Sequence, residues 1–483
     1  MTTNVRVRFA PSPTGFLHVG GLRTALYNYL FAKHHGGTFV LRIEDTDQSR
    51  RVEGAVENLI STLGWSGIHY DEGPGIGGPF GPYVQSERLG LYSRYANELV
   101  KKEKAYHCFC SPERIDQVRQ KQTAAKERVS YDRHCRTLPR EEVDERLRRG
   151  EKNVIRLKVP LEGAVTFQDL IRGEVSIANE ILDDQVLLKS DGFPTYHLAV
   201  VVDDHLMQIS HVIRGEEWLP STPKHVLLYQ YFGWELPVFA HLPLLLNPDK
   251  SKLSKRQGDV AVEDYRAKGY LQEAMINFIA FLGWNPGDER EIFSLEELIR
   301  EFSLERVGKA GAVFNVEKLN WLNFQHLKIE PDEEVLRMLR EHMAQVGLDS
   351  SSYSDAYLLG VIAAMRERVT FVQEFVEKSP YFFKAPMEYD ADVLKKRWKS
   401  DTASQLKTLA EEFSRLEHAD KEDFEAAVHH VAEALKVKNS DLIHPLRLAL
   451  SGVGAGPGLY EIAFLLGKDE TIRRMNRAIE KLH

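Results

Sequence analysis

Cysteine is scarce in this chain: three residues among 483, all between Cys108 and Cys135. So few exclude a disulfide framework, and their crowding into one short stretch leaves metal binding as the reason for the cluster. Long apolar runs are missing too. Stretches such as Ala274 to Trp284 and Leu242 to Leu246 fall well short of the ~18 residues that span a bilayer. The N-terminus, Met1-Thr2-Thr3-Asn4-Val5-Arg6, has no apolar segment of signal-peptide length, so the chain reads as cytoplasmic with no membrane partner. An overall basic excess is lacking, since the net charge is −8. Between Ser111 and Pro160, however, 14 Lys and Arg stand against 9 Asp and Glu, a modest basic segment in an acidic protein. Repeats and low-complexity tracts are absent. What remains, 43% hydrophobic and 28% charged residues, is the balance of a folded globular protein, long enough for several domains.

Val5 to Phe9 alternates at period two and runs into Pro11-Ser-Pro-Thr-Gly15, which predicts a strand ending in a tight loop. From Gly20 to His35 apolar residues recur at helical spacing until Gly36-Gly37 stops them, and Thr38 to Ile43 reads as a buried parallel strand. Together these form a βαβ unit. The Gly- and Pro-rich segment 74–82 is a loop, followed by two short helices around Glu87 to Glu103. Asn153 to Val159 and Ala164 to Phe167 look like strands of an inserted mixed α/β unit carrying the cysteines. The Rossmann-like pattern resumes with Tyr196 to Val202, a buried strand candidate capped by Asp203 and Asp204. From about Gly287 the chain reads as helices, with caps such as Ser294-Leu-Glu-Glu297.

His18-Val-Gly20-Gly21 lies where the first loop meets its helix. Free N–H groups and the positive dipole end favour phosphate there, glycines allow close approach, and an imidazole can donate to phosphate oxygens. Taken alone the signal is weak, and a turn histidine beside packing glycines is the plainer reading. Lys252-Leu-Ser254-Lys255-Arg256 puts three cations on a polar loop, which read alone is solvated surface.

Taken together, Phe9 to Gly20 and Lys252 to Arg256 resemble the two signature motifs of class I aminoacyl-tRNA synthetases. Arg42-Ile-Glu-Asp-Thr-Asp47, Gln85-Ser-Glu-Arg88, Asp191 to His197, Val202-Asp-Asp-His205, Ile213 to Leu219 and Ser221 to His225 resemble bacterial glutamyl-tRNA synthetase, in order over roughly residues 4–325. The resemblance implies an α/β Rossmann-type catalytic domain in two halves, 1–106 and 191–250, around an inserted α/β acceptor-binding domain, 107–190. A stem-contact domain, 251–328, and an all-α anticodon-binding region, 329–483, follow. It further implies ATP-dependent activation of L-glutamate, with Mg2+ accompanying ATP, transfer to tRNA(Glu), and action as a monomer; whether tRNA(Gln) is also charged stays open.

Site residues carry over position by position. His18 and Lys255 are the expected catalytic pair, and Gly20, Gly21, Glu217, Trp218, Lys252, Ser254 and Arg256 join them at ATP. Glutamate falls to Arg8, Ala10, Ser12, Glu44, Tyr196 and Arg214. Two carboxylates and one ammonium call for the arginine forks of Arg8 and Arg214 and the anion Glu44; Arg8 and Glu44 pairing with each other is the structural alternative. Val200 departs from family members with asparagine there, a contact that His197 or water would replace. Ser12 and Thr14 stand where glutaminyl-tRNA synthetase has glutamate and asparagine. Arg366 and Arg368 are candidates for reading the anticodon.

Cys108, Cys110, Cys135 and Tyr131 match the pattern at which some bacterial members carry a structural zinc. His107 or His134 could stand in for Tyr131, or the cysteines could be reduced and metal-free. A catalytically silent tRNA-binding or regulatory paralogue, and a small-molecule nucleotidyltransferase, are the competing readings. The first would be expected to lose His18, Lys255 or the Arg8, Arg214 and Glu44 set; the second has no need of the helical tail.

Overall fold

The computed structural model describes residues 5–253 and 261–482. The chain divides into two compact units, Met1–Lys268 with Gln272–Lys318, and Gly269–Leu271 with Leu319–His483. The nine main strands of the first are β1 (Arg6–Phe9), β2 (Thr38–Leu41), β3 (Ala105–Cys108), β4 (Val154–Leu157), β5 (Ala164–Asp169), β6 (Gly173–Ala178), β7 (Val186–Leu188), β8 (His211–Gly215) and β9 (Val238–Leu242).

β1 and β2 pair in parallel across the helix α1 (Val19–His34), as the βαβ reading expects. The alternation in β1 does not mark a wet face, because all four residues are buried. Arg6 instead meets Glu72 at 2.8 Å and Arg8 meets Asp204 at 3.0 Å. Gly36 ends the helix with φ of 61°, a conformation that glycine adopts without steric cost. A second sheet runs β6-β5-β9-β8, with β8 and β9 parallel. The Ser210 N–H donates to Arg6 O at 2.9 Å, which brings the start of β8 beside β1. The cysteine-bearing segment is mixed α/β as expected, with β3, β4 and β7 in an antiparallel sheet and helices over Pro112–Ala124 and Arg140–Arg148, but Ala164 to Phe167, expected among its strands, lies in β5, which joins the second sheet through its pairing with β9.

A second element differs. Tyr196–Leu206 is a helix, not a strand. A continuous apolar run cannot tell a buried strand from a buried helix, and this helix buries Leu198 through Asp204 without a break. The difference matters because consecutive helical residues point about 100° apart, so Asp203 and Asp204 reach different sets of partners and share only Arg42, whose Nε lies 3.8 Å from Asp203 Oδ2. Asp203 accepts from Gln85, Arg88 and Tyr92, and Asp204 pairs with Arg8 and Arg42.

The second unit is helical, with no strand among its described residues. Helices including Thr402–Ser414, Lys421–Leu435, Asn439–Ser451 and Lys468–Lys481 enclose a core with Phe413, Phe424, Leu446 and Met475. Within it Arg366 is spent internally, donating to the carbonyls of Lys328 and Glu330 and pairing with Asp332 at 2.6 Å. The Ser294–Glu297 capping box forms as expected in the first unit. Among the described residues no helix is long and apolar enough to cross a membrane.

Candidate active site

The loop after β1, the N-terminus of α1 and the C-terminal end of β8 enclose a cleft of about 550 Å³. Ligands of open α/β sheets bind at such strand ends. Arg8, Ala10, Ser12, Glu44, Tyr196, Arg214, His18, Gly20, Gly21, Glu217, Trp218 and Lys252 all line it. Val200 is 2% exposed and does not line the cleft. Ser254, Lys255 and Arg256 lie outside the described residues. The described residues flanking them do reach the site: Leu253 lines the cleft and Ala261 pairs with His18.

At one end His18 caps α1, its Nδ1 accepting from Gly21 N–H at 3.1 Å. That bond makes Nδ1 the acceptor and Nε2 the protonated nitrogen, a donor beside a helix N-terminus where negative charge is stabilised. A Cβ on Gly20 would stand 3.0 Å from the His18 ring, so glycine there keeps the imidazole in place.

At the other end Arg8 and Glu44 do not pair with each other. Asp204 Oδ1 lies 3.0 Å from Arg8 Nε and 2.8 Å from Arg42 Nη2, and Arg42 Nη2 reaches Glu44 Oε1 at 3.1 Å. Arg42, 0% exposed, therefore ties both cleft residues to one buried carboxylate. Burial pushes the Glu44 carboxyl up to about 7, against the pull of Arg42 and Arg8. For Asp204 burial acts in the same sense, but Arg8 and Arg42 outweigh it and hold the group below its ordinary range.

Arg214 meets only neutral acceptors among the described residues. Its Nε donates to His241 Nε2 at 3.1 Å, Nη1 to Tyr196 Oη at 2.9 Å and Nη2 to Thr222 Oγ1 at 2.9 Å, while His225 Nδ1 lies 3.3 Å from both terminal nitrogens. Burial, with Arg214 adding to it, holds His225 well below its ordinary value. Tyr196 also packs on Trp218, ring centroids 4.2 Å apart. His197 faces His225, its Nδ1 3.1 Å from Nε2, and is absent from the cleft lining. Arg42, Asp204 and His225 fall within motifs that the sequence reading quoted without giving them a role, and Asp169 and His241 it did not name at all. The signal for Arg42 and Asp204 was an arginine inside the apolar run Phe39 to Ile43 and acids closing a valine run.

Away from the cleft the three cysteines form a cluster whose sulfurs all lie within 4.8 Å of one another. Tyr131 Oη stands 3.3 Å from Cys108 Sγ and 3.5 Å from Cys110 Sγ, and Cys110 and Cys135 sulfurs are 3.5 Å apart. Donors about 2.0–2.3 Å from a tetrahedral zinc sit about 3.5–3.8 Å from one another, so the set fits that ion. Phe109 N–H donates to Cys135 Sγ at 3.4 Å and Cys135 N–H to Tyr131 Oη at 3.0 Å, bonds that suit anionic donors. Arg156 stacks 3.9 Å over the Tyr131 ring and Arg114 Nη1 lies 3.4 Å from Cys110 Sγ. Tyr131 Oη stands beside the sulfurs, whereas His107 is turned to Asn153, 2.8 Å from its Oδ1.

Residues 4–321 match the family of class I tRNA synthetases (E and Q), catalytic domain, and residues 334–479 match the anticodon binding domain. Full-length relatives narrow this further: the glutamate–tRNA ligase of Chloroherpeton thalassium is 54% identical over 99% of this chain and 98% of its own. The chain belongs to the glutamate–tRNA ligase family. Another member, from Chlorobaculum parvum, is 53% identical over 99% and 98%. Two solved glutamate–tRNA ligase structures share the fold: one from Elizabethkingia meningosepticum, determined with its amino acid, at TM-score 0.95, and one from Elizabethkingia anophelis at 0.92. Each is 44% identical over 99% of this chain and 100% of its own. The two family matches cover the α/β unit with its cleft and the helical unit, so this glutamate–tRNA ligase family member has both parts of a class I synthetase.

Proposed function

We propose that the cleft takes L-glutamate and ATP, joins them as glutamyl-adenylate with release of pyrophosphate, and passes the glutamyl group to the terminal ribose of tRNA(Glu) with release of AMP. The observation that carries this reading is the pairing, in one cleft, of two arginines and a buried carboxylate at one end with His18 at a helix N-terminus at the other. Arg8 and Arg214 suit the two carboxylates, Glu44 the ammonium, and Tyr196 with Trp218 closes the pocket. Neither step needs an enzyme nucleophile: a substrate carboxylate oxygen attacks the α-phosphorus, and a ribose hydroxyl then attacks the adenylate carbonyl. The protein positions groups and stabilises charge. His18 Nε2–H and Lys255 are proposed to donate to the phosphates, and Lys252, Ser254, Arg256, Glu217, Gly20, Gly21 and Trp218 to hold the nucleotide. Mg2+ arrives with ATP as part of the substrate. Ala10 and Ser12 bound the amino-acid end.

Cys108, Cys110, Cys135 and Tyr131 are proposed to hold one structural zinc in the inserted unit, which supports the acceptor stem and takes no part in the chemistry. The helical unit is proposed to bind the anticodon, with Arg368 ahead of Arg366, whose donors are already committed. Since one chain carries both the cleft and the helical unit, it is proposed to act as a monomer. Charging assays with purified tRNA(Glu) and tRNA(Gln), each with glutamate and glutamine, test the reading. Glutamylation of tRNA(Glu) is expected, its absence refutes the proposal, and the tRNA(Gln) arm decides how broadly the enzyme acts.

A further inference from the structure

Behind Arg214 stands a pair of residues that the cleft does not contain. Arg214 on β8 and His241 on β9 are register partners, and Asp169 at the end of β5 partners Phe239, two residues before His241. Register partners and residues two apart point to the same face of a sheet, so the three side chains form a row. The side chains of His241 and Asp169 are both 0% exposed. Asp169 Oδ2 lies 2.6 Å from His241 Nδ1, and His241 Nε2 lies 3.1 Å from Arg214 Nε. An arginine Nε can only donate, so Nε2 must be the unprotonated nitrogen and Nδ1–H the donor to Asp169. Asp169 is itself immobilised, since its Oδ1 accepts backbone N–H groups from Ile171 at 3.0 Å, Arg172 at 2.8 Å and His241 at 3.3 Å. Burial lowers the His241 value, against the pull of Asp169, which favours the neutral ring.

We infer that Asp169 and His241 are positioning residues for the amino-acid substrate. Asp169 holds His241 in the Nδ1–H tautomer, and the Nε2 lone pair then fixes the Arg214 guanidinium using a neutral acceptor. The arginine stays oriented, with no carboxylate among the described residues in hydrogen-bond contact to satisfy its charge, and that charge is left for a carboxylate on the substrate side chain. Arg8, whose Nε is paired with Asp204, is built in the opposite way. The inference rests on the reading that Arg214 receives a substrate carboxylate, and it adds a device by which an acid is preferred to its amide.

Asp169→Asn tests it directly. The three backbone donors keep the asparagine carbonyl at the Oδ1 position, so its amide N–H2 must face His241 Nδ1. That reverses the tautomer: Nε2–H can then donate to Thr222 Oγ1, 3.1 Å away, but it faces Arg214 Nε–H, a clash of donors that turns the guanidinium. We expect the KM for glutamate to rise about tenfold or more, equivalent to ~1.4 kcal/mol, with the KM for ATP within about twofold. A glutamine at 241 can offer Oε1 at the Nε2 position whatever faces it from behind. Asp169→Asn combined with His241→Gln is therefore expected to return the glutamate KM to within about threefold of His241→Gln alone, a rescue that a merely structural role would not give. Should Asp169→Asn fail to fold, His241→Gln against His241→Asn, which is too short to reach Arg214, carries the same test. Arg214→Ala is measured in parallel. If it raises the glutamate KM while Asp169→Asn does not, or while the double substitution shows no rescue, the relay is overturned and the Arg214 reading stands. If Arg214→Ala itself leaves that KM unchanged, both fall.

Discussion

Asp204 Oδ1 lies 3.0 Å from Arg8 Nε, so a cation facing the cleft is clamped by a carboxylate on the helix Tyr196–Leu206. The same oxygen sits 2.8 Å from Arg42, which holds Glu44. The cationic and anionic contacts proposed for the amino acid thus depend on one buried anion. Buried ion pairs contribute little net stability, but breaking one leaves an uncompensated charge that costs about 3–5 kcal/mol.

Asp204→Asn should accordingly lower stability by about 3 kcal/mol and raise the KM for glutamate more than that for ATP. Thermal unfolding and steady-state kinetics measure the two effects. Normal stability with an unchanged glutamate KM would show that Arg8 and Glu44 are positioned by other contacts.

The Glu44 carboxyl, pushed by burial to about 7, must be ionised to pair with an ammonium. The groups facing it are Arg42, Arg8, Asp204 and Tyr196. As pH falls through about 7, the KM for glutamate should rise by up to about tenfold per unit. A raised acid also opposes folding: its cost grows from the unfolded value near 4.5 up to about 7 and is complete above that. Glu44→Gln should give a high glutamate KM that is flat between pH 6 and about 8. A wild-type KM already flat across that range would remove Glu44 from ammonium binding.

Protein purified without chelator should carry about one zinc per chain. Cys110→Ser should lose it and weaken tRNA charging more than ATP binding, because the cluster lies in the inserted unit rather than at the cleft. Elemental analysis decides the first half; metal-free wild-type protein with full charging activity would contradict the assignment.

The β1–α1–β2 unit was legible because strand alternation, helical spacing and Gly36-Gly37 are local signals. The Tyr196–Leu206 helix was not: its valine run has the composition of a buried strand, and only packing on both sides makes it helical. The twelve expected residues that line the cleft were placed by their motifs, whereas Asp169 and His241 were missed because strand register brings them to Arg214 from 45 and 27 residues away in sequence. Arg8 illustrates the same limit: its alternation predicted a strand, but its partner Asp204 lies 196 residues on.

Pyrophosphate exchange in the presence of tRNA(Glu) tests the central claim most directly, run with glutamate and with glutamine for wild type and for Arg214→Ala. Wild-type exchange should depend on glutamate and not on glutamine. Arg214→Ala should raise the glutamate KM by about a hundredfold or more, the cost of losing a charge-assisted pair, with the ATP KM nearly unchanged. Equal exchange with both amino acids, or equal effects of Arg214→Ala on both constants, would contradict a glutamate-selecting cleft.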